Sequence, residues 1–341
     1  MTHQRVTLRD LSNKTGFDKS TISRVLRNDT TLSIRQENID LIKRVAQELQ
    51  YVPDAAGRSL RSSRSFSIGA MLPSLQNPIH AQIVEGAARV CMERGYSLII
   101  AHAADAEAQL EVIRQMVHRN RVDGLLALTF RNEYSQYPEI IDLNVPILAV
   151  NWRAEGFENW ITVDEQPGAR LATQHLVDLG HRRIAHLSGD LKRFNANERL
   201  AGYRDALNAA GIAFDESLIE GAGYSFEEGF AGMNALLDRK QGQFTAVFAV
   251  SILSAAGALN ALNKRRVRVP EEVSVIGFHD GLVAQVSSPA LSTVAFPLTD
   301  LGGAAAEGMM ALLDGSKEIF SQVMGLPVLV QRDSTAPPAA V

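Results

Sequence analysis

From Phe66 onward, short apolar runs alternate with amphipathic stretches of helical period, and few folds accept that pattern. The runs are Ser67 to Leu72, Ser97 to Ala101, Gly124 to Leu128, Ile147 to Val150, Ile184 to Leu187, Ala246 to Val250 and Ser274 to Phe278. Strands this continuously apolar are buried on both faces. With helical stretches of roughly 10 to 15 residues between them, they read as a parallel sheet with helices on both sides. Four such units precede Trp160 and about four follow it, which predicts two doubly wound lobes with a cleft between them. Ligands of such folds bind at the carboxyl ends of the strands. Leu291 to Phe296 is expected to lead the chain back across the cleft.

The first 65 residues are patterned differently. They carry twelve basic and seven acidic side chains, a net +5, whereas the remainder carries 22 and 31, a net −9. A basic block on an otherwise acidic chain points to a polyanionic partner. Thr7 and Asp10 are spaced as a capping box for a first helix, and Gly16 is free to take the left-handed turn that ends it. Asp18 then caps a second helix, Lys19 to Leu26, whose Ile22, Val25 and Leu26 face inward with Phe17. Ser33 and Gln36 read as a second capping box before a third helix, in which Ile39, Ile42, Val45 and Leu49 recur at helical spacing. Two short capped helices joined by a glycine turn form the outline of a helix-turn-helix, whose second helix enters the DNA major groove. That leaves Lys19, Ser20, Thr21 and Arg24 to meet the groove, with Thr7 at the start of the first helix. Residues 53–65 are too short and polar to bury a core. Isolated helices of this length are marginal, so DNA would have to stabilise one here, with Leu60 wedged into the minor groove and Arg58 and Arg61 on phosphates.

The segments Val6-Thr-Leu-Arg-Asp-Leu, Ser20-Thr-Ile-Ser-Arg-Val-Leu26, Glu48-Leu-Gln-Tyr-Val-Pro53 and Gly57-Arg-Ser-Leu-Arg61 resemble successive signatures of the lactose/galactose repressor (LacI/GalR) family of bacterial regulators. Further on, Leu179-Gly-His-Arg-Arg-Ile-Ala185, Arg199-Leu-Ala-Gly-Tyr203, Val269-Pro-Glu-Glu-Val-Ser-Val-Ile-Gly-Phe278 and Pro289-Ala-Leu-Ser-Thr-Val294 continue the likeness over nearly the whole chain. The resemblance implies an all-α helix-turn-helix head followed by an α/β periplasmic-binding-protein-like effector domain of two doubly wound parallel-sheet lobes. The expected division is a DNA-binding domain at 1–52, a hinge at 53–65, an effector-binding and dimerisation body at 66–331 and a flexible tail at 332–341. Lys19, Ser20 and Thr21 fall at the base-reading positions and Leu60 at the intercalating hinge leucine. Asp54 and Gly57 depart from the usual Asn and Ala, and a glycine inside a helix costs about 1 kcal/mol relative to alanine, so a weaker hinge is expected.

For the effector, Arg199 matches the family arginine that reaches the ligand, although a salt bridge to a neighbouring acid would also account for it. Asn151 and Thr129 follow strands, Tyr224 sits where an aromatic often stacks on the ligand or packs in the core, and His80 is expected in a loop past Asn77-Pro78. Ser251-Ile252 stands where the family usually has Asn-Asp, and Gly277-Phe-His279-Asp280 where it has Gly-Tyr/Phe-Asp-Asp. Losing those acids while keeping Arg199 shifts the site toward positive potential and predicts an acidic effector such as a gluconate- or 2-ketogluconate-type sugar acid. Activation, or repression with a purine-type corepressor, uses the same cleft and stays open.

Other functions find little support. The chain has no Gly-x-Ser-x-Gly elbow, no phosphate-binding Gly-x-x-x-x-Gly-Lys-Ser/Thr and no His-Glu-x-x-His, so an enzyme is not expected, nor a cofactor or metal. The single cysteine, Cys91, makes no intrachain disulfide, and no apolar run reaches the roughly 18 residues of a membrane span. Met1 to Asp10 is polar and lacks the form of an export signal, so a cytoplasmic protein without membrane contact is expected, not a transport protein. Without a C-terminal leucine heptad pattern, the expected assembly is a homodimer on a pseudo-palindromic operator.

Overall fold

The computed structural model describes residues 6–26, 29, 31–51, 64–103, 106–128, 145–153, 157–240 and 243–339. Contacts divide the chain into two units, Met1–Arg64 and Ser65–Val341.

The first unit is a three-helix bundle of α1 (Leu8–Thr15), α2 (Lys19–Leu26) and α3 (Gln36–Glu48). Leu11, Ile22, Val25, Ile42, Val45 and Ala46 form its core. α1 ends at Gly16, whose φ of 78° is the left-handed cap that an L side chain adopts only with strain. The Asp10 carboxylate accepts both the N–H and the hydroxyl of Thr7, at 2.8 and 2.7 Å. The expected Ser33–Gln36 box is not what starts α3. Arg35 holds the N-cap position without a side-chain bond, and Gln36 donates forward to Asp40 at 2.9 Å. One turn further along, that amide meets a stronger acceptor than a backbone group.

The second unit contains two six-stranded sheets. The first has the order β11-β5-β4-β3-β1-β2 and is parallel throughout: β1 (Ser67–Leu72), β2 (Ser97–His102), β3 (Gly124–Ala127), β4 (Ile147–Val150), β5 (Trp160–Val163) and β11 (Ser321–Met324). The second has the order β12-β10-β9-β8-β6-β7: β6 (Ile184–Ser188), β7 (Ile219–Gly221), β8 (Ala246–Ala249), β9 (Ser274–Phe278), β10 (Ser292–Ala295) and β12 (Val328–Val330). Only β12 runs antiparallel to its neighbour. Around the first sheet lie α4 (Pro78–Glu93), α5 (Ala106–His118) and the returning α11 (Leu298–Leu313). Around the second lie α6 (Glu165–Asp178), α7 (Phe194–Ala209), α8 (Phe226–Lys240), α9 (Ile252–Lys264) and the short α10 (Leu282–Val286). The chain passes between the lobes three times, after β5, after β10 and after β11. The return expected near Leu291–Phe296 is thus made by β10 and the turn behind it.

One expectation about the C-terminal end needs correction. After α11 the chain first gives each sheet an edge strand, β11 and β12. Both are only three or four residues long, β11 mostly exposed and β12 half-buried, so neither is long enough to show a strand pattern in the sequence. Residues 332–341 were expected to form a flexible tail, but 332–339 thread into the second lobe. Ser334 is fully buried, donates to the Val275 carbonyl at 2.5 Å and accepts from the Ser292 N–H. Thr335 meets His175 at 3.0 Å, and Arg332 forms a two-pronged bridge to Asp280. A short polar segment reads as solvated, but here each hydroxyl finds a buried partner from far along the chain. No helix among the described residues is long and apolar enough to cross a membrane.

Candidate functional site

On the head, burial of Ile22 and Val25 turns the opposite face of α2 to solvent, where Lys19 and Ser20 are exposed and Thr21 is half-buried. Asp18 organises this face. Its carboxylate accepts the backbone N–H groups of Ser20 and Thr21 at 2.8 and 3.0 Å and their hydroxyls at 2.5 and 2.6 Å. Those hydroxyl bonds, Ser20's first, hold the Asp18 carboxyl far below the usual carboxylate range. Arg24 is not free to reach outward as it stands. Its Nε donates to Asp29 at 2.8 Å and its Nη2 to Thr31 at 2.9 Å. The hydroxyl of Thr7 is turned inward to Asp10. Arg58, Leu60 and Arg61 lie outside the described residues, as does Thr129.

The second site lies along the seam of the lobes, at the carboxyl ends of the strands. Asn151 follows β4 and His279 follows β9, and both take positive φ, 65° and 69°. Non-glycine residues adopt that conformation at a cost, and asparagine and histidine are among the side chains that tolerate it best. Asn151 Oδ1, both ring nitrogens of His279 and the Tyr224 hydroxyl are buried with no hydrogen-bond partner among the described residues. Buried polar atoms are nearly always paired. Burial, helped by the charge of Arg199 and by His80, keeps His279 well below its ordinary pKa, so the ring is neutral and offers one donor and one acceptor. Gly189 makes room for Tyr224, because a Cβ there would lie 2.5 to 2.8 Å from the phenol ring and hydroxyl.

At the centre is Arg199 on α7, only 2% exposed. Its Nε and Nη2 donate to the two oxygens of Glu165 at 2.6 and 3.1 Å, and its Nη1 donates to the Val250 carbonyl at 2.5 Å. The guanidinium also lies 4.0 Å from the centroid of the Phe278 ring. Burial pushes the Glu165 carboxyl upward while the Arg199 fork opposes it. The bridge therefore answers the alternative left open for Arg199, and it corrects the charge argument: a carboxylate offsets the cation from which positive potential was inferred. Glu165 was missed because it opens α6, where an acid suits the helix dipole and draws no further notice.

Around this centre the lobes are tied by the chain's own side chains. Asn195 donates from one amide nitrogen to the Asn151 carbonyl at 2.8 Å and to Glu165 at 2.7 Å, and Gln82 donates to the Asp280 carbonyl at 3.0 Å. Arg153, two residues past Asn151, lies between two rings, 5.2 Å from the Trp160 centroid and 4.1 Å from that of Phe194 in the other lobe. Arg153 has no carboxylate partner among the described residues.

Three expected contacts are otherwise engaged. Ser251 caps α9, accepting from the Ser254 N–H and donating to the Tyr224 carbonyl, both at 3.0 Å, so it positions Tyr224. Asp280 is held by Arg332 and by the Thr293 hydroxyl, each bond 2.8 Å. His80 is not in a loop: Asn77 caps α4, Pro78 starts it, and His80 lies buried in its first turn, 2.9 Å from the Ser74 carbonyl. Proline at the first helical position is well tolerated, so Asn77-Pro78 starts a helix here.

Comparison with known proteins extends the match over the full length. The profile of a periplasmic binding protein-like domain matches residues 173–335. The chain is 31% identical over 329 residues to the ribose operon repressor of Haemophilus influenzae, covering 96% of this chain and 98% of that one. It is 30% identical over 338 residues to the HTH-type transcriptional repressor PurR of Erwinia tasmaniensis, covering 97% of both. Among solved structures, the lac repressor dimer bound to operator and the anti-inducer ONPF superposes with a TM-score of 0.85 at 25% identity, over 98% of this chain and all of that one. A complex of the transcriptional regulator CelR with cellobiose gives 0.73 at 30% identity, over 97% of this chain and all of that one.

Proposed function

This chain belongs to the LacI family of transcriptional regulators, and we propose that it is a repressor that grips an operator with α1–α3 and lets go when a small molecule enters the seam of its lobes. It is a regulator and not an enzyme, as its relatives are. The observation that carries the effector half is the group of buried, unpartnered polar atoms on Asn151, Tyr224 and His279, contributed from both lobes around the Arg199 fork. Each such atom costs about 1 to 3 kcal/mol while unpaired, which a ligand rich in oxygen returns on binding. Such a ligand is favoured when the lobes are together, so it biases one arrangement of the body. A coupling of about 1 to 3 kcal/mol to operator affinity is typical of such regulators.

Within the sugar class suggested by the relatives' names, the effector is a sugar acid of the gluconate or 2-ketogluconate type. The support for this moves from Arg199 to Arg153, a cation at the seam without a carboxylate partner among the described residues. In the proposed assembly two copies set their α2 helices about one helical turn of DNA apart, and Arg58, Leu60 and Arg61 of the hinge at 53–65 act on the intervening minor groove. A corepressor reading has support in the likeness to PurR.

One experiment separates these readings. An operator is first selected from random duplexes, and its release is then followed by gel shift with gluconate, 2-ketogluconate, ribose and hypoxanthine. Release by a sugar acid supports the proposal; tightening by hypoxanthine selects the corepressor reading; release by ribose alone removes the acid. Failure to select any duplex at low salt removes the whole proposal.

A further inference from the structure

We propose that Asp18 sets the hydrogen-bonding polarity of the reading helix. By taking the hydroxyl protons of both Ser20 and Thr21, it leaves these side chains only lone pairs to offer, so they select the exocyclic amines of adenine and cytosine over the acceptor edges of guanine and thymine. The inference rests on the reading above that Ser20 and Thr21 face the bases.

An unconstrained serine or threonine hydroxyl is ambivalent. It can donate one proton or accept through two lone pairs, and so reads a donor or an acceptor edge equally well. Here that ambivalence is removed. A carboxylate only accepts, so when a hydroxyl oxygen lies 2.5 Å from Asp18 Oδ1, and another 2.6 Å from Oδ2, both protons must point at the carboxylate. The two backbone N–H groups that Asp18 also accepts fix the carboxylate against α2, so the clamp does not turn with the side chains it holds. The depressed pKa of Asp18 keeps the carboxylate ionised wherever duplex DNA is stable, so the polarity does not change with pH.

In the major groove, adenine N6 and cytosine N4 donate, whereas guanine O6 and N7 and thymine O4 accept. Two acceptor-only hydroxyls therefore pair with the first kind and repel the second. They make poor phosphate anchors for the same reason, which leaves that work to donor-only side chains such as the exposed Lys19. Asp18 is thus a positioning residue that acts through Ser20 and Thr21.

The test uses the full-length protein, selected against a random duplex library, with the bound fraction sequenced for the parent, Ser20→Ala, Thr21→Val, Asp18→Asn and Asp18→Ala. The parent is expected to favour A or C over G and T about tenfold at a position whose preference vanishes in Ser20→Ala or Thr21→Val. In Asp18→Asn the carboxamide oxygen still accepts N–H groups of α2, so the helix keeps its cap. Because Oδ1 takes both N–H groups and the Ser20 hydroxyl, it stays the amide oxygen, and the amide nitrogen replaces Oδ2, donates to the Thr21 hydroxyl oxygen and frees that proton for the groove. The Thr21-dependent position should swing toward G or T while the Ser20-dependent position and the rest of the site are unchanged, a result that a purely structural role for Asp18 does not produce. Asp18→Ala frees both hydroxyls and should flatten the preference. A parent that prefers G or T at the Ser20- or Thr21-dependent position, or an Asp18→Asn protein that keeps its preference for A or C at the Thr21-dependent position, overturns the inference. If neither Ser20→Ala nor Thr21→Val alters any position, the base-reading assignment fails, and this inference fails with it.

Discussion

Replacing Glu165 by glutamine keeps the shape of the site and removes one charge, which tests whether the buried bridge at the seam is as important as its geometry implies. Arg199 cannot shed its proton, and with only 2% of its surface exposed it cannot turn to water. Two of its three internal bonds go to Glu165; the third, to the Val250 carbonyl, and the stacking on Phe278 would remain. Removing one member of a buried pair typically costs about 3 to 5 kcal/mol, because the other charge is left without compensation. The remaining contacts place Glu165→Gln toward the lower end, about 3 kcal/mol. In a body of this size, that lowers Tm by roughly 6 to 12 °C. Scanning calorimetry of the parent, Glu165→Gln, and the double variant Glu165→Leu/Arg199→Met measures it. The double variant should recover most of the loss, since apolar residues of similar volume often replace a buried pair at little cost. A glutamine variant melting within about 2 °C of the parent would refute the reasoning and show that Glu165 is already protonated and neutral. A double variant no more stable than the single would refute it differently, by showing that packing and not charge is at stake.

Three further outcomes follow from the same geometry. His80, His175, His181, His186 and His279 all have pKa values lowered by burial, His186 to about 4. Below about pH 6.5 the unfolded chain then binds more protons than the folded one. Their contribution is full above that pH and is lost as pH falls toward the folded values; His186 alone costs about 2 kcal/mol at pH 5. Melting at pH 7 and pH 5 should show a clear drop, and equal Tm values would contradict it. Truncation after Gln331 removes Arg332 and the buried Ser334 and Thr335, so it should destabilise the body by several kcal/mol in urea titration; an unchanged midpoint would mean that 332–339 contribute no stability. Asp29→Asn releases Arg24 from its partner, and the operator should bind severalfold tighter with a steeper dependence on salt in filter binding; no change in slope would show that Arg24 meets no phosphate.

Much of the architecture could be read directly from the chain. The parallel sheets follow from apolar runs at strand length, because strands covered on both faces are apolar on both faces; the exception is the edge strand β2, whose Ile99 and Ile100 are exposed although its run was expected to be buried. The head follows from caps and a glycine turn at fixed offsets, and α1 ends at Gly16 as the spacing requires. The elements that escaped are β5, β7, β11 and β12, each of three or four residues. Such strands span at most two repeats of the two-residue strand period, too few to stand out, and owe their form to the neighbour they pair with. At the site, Asn151 and His279 were accessible because they follow strands, where ligands of doubly wound folds bind, and Tyr224 only through the family resemblance. Glu165, Arg153 and Asn195 were not, since nothing local distinguishes them from ordinary helix-end or loop residues.

What the sequence by itself determined is therefore the kind of object this is: a basic capped-helix reader joined to two parallel-sheet lobes, each fixed by periodicity and turn chemistry that act over a few residues. What only the tertiary structure decided is how charge and hydrogen bonds are distributed within that object. Arg199 meets Glu165 across 34 residues, Asp280 meets Arg332 across 52, and Thr335 reaches His175 across 160. Pairing at such separations is set by how sheets and helices pack. One unseen carboxylate, Glu165, was enough to offset the charge assigned to the central arginine.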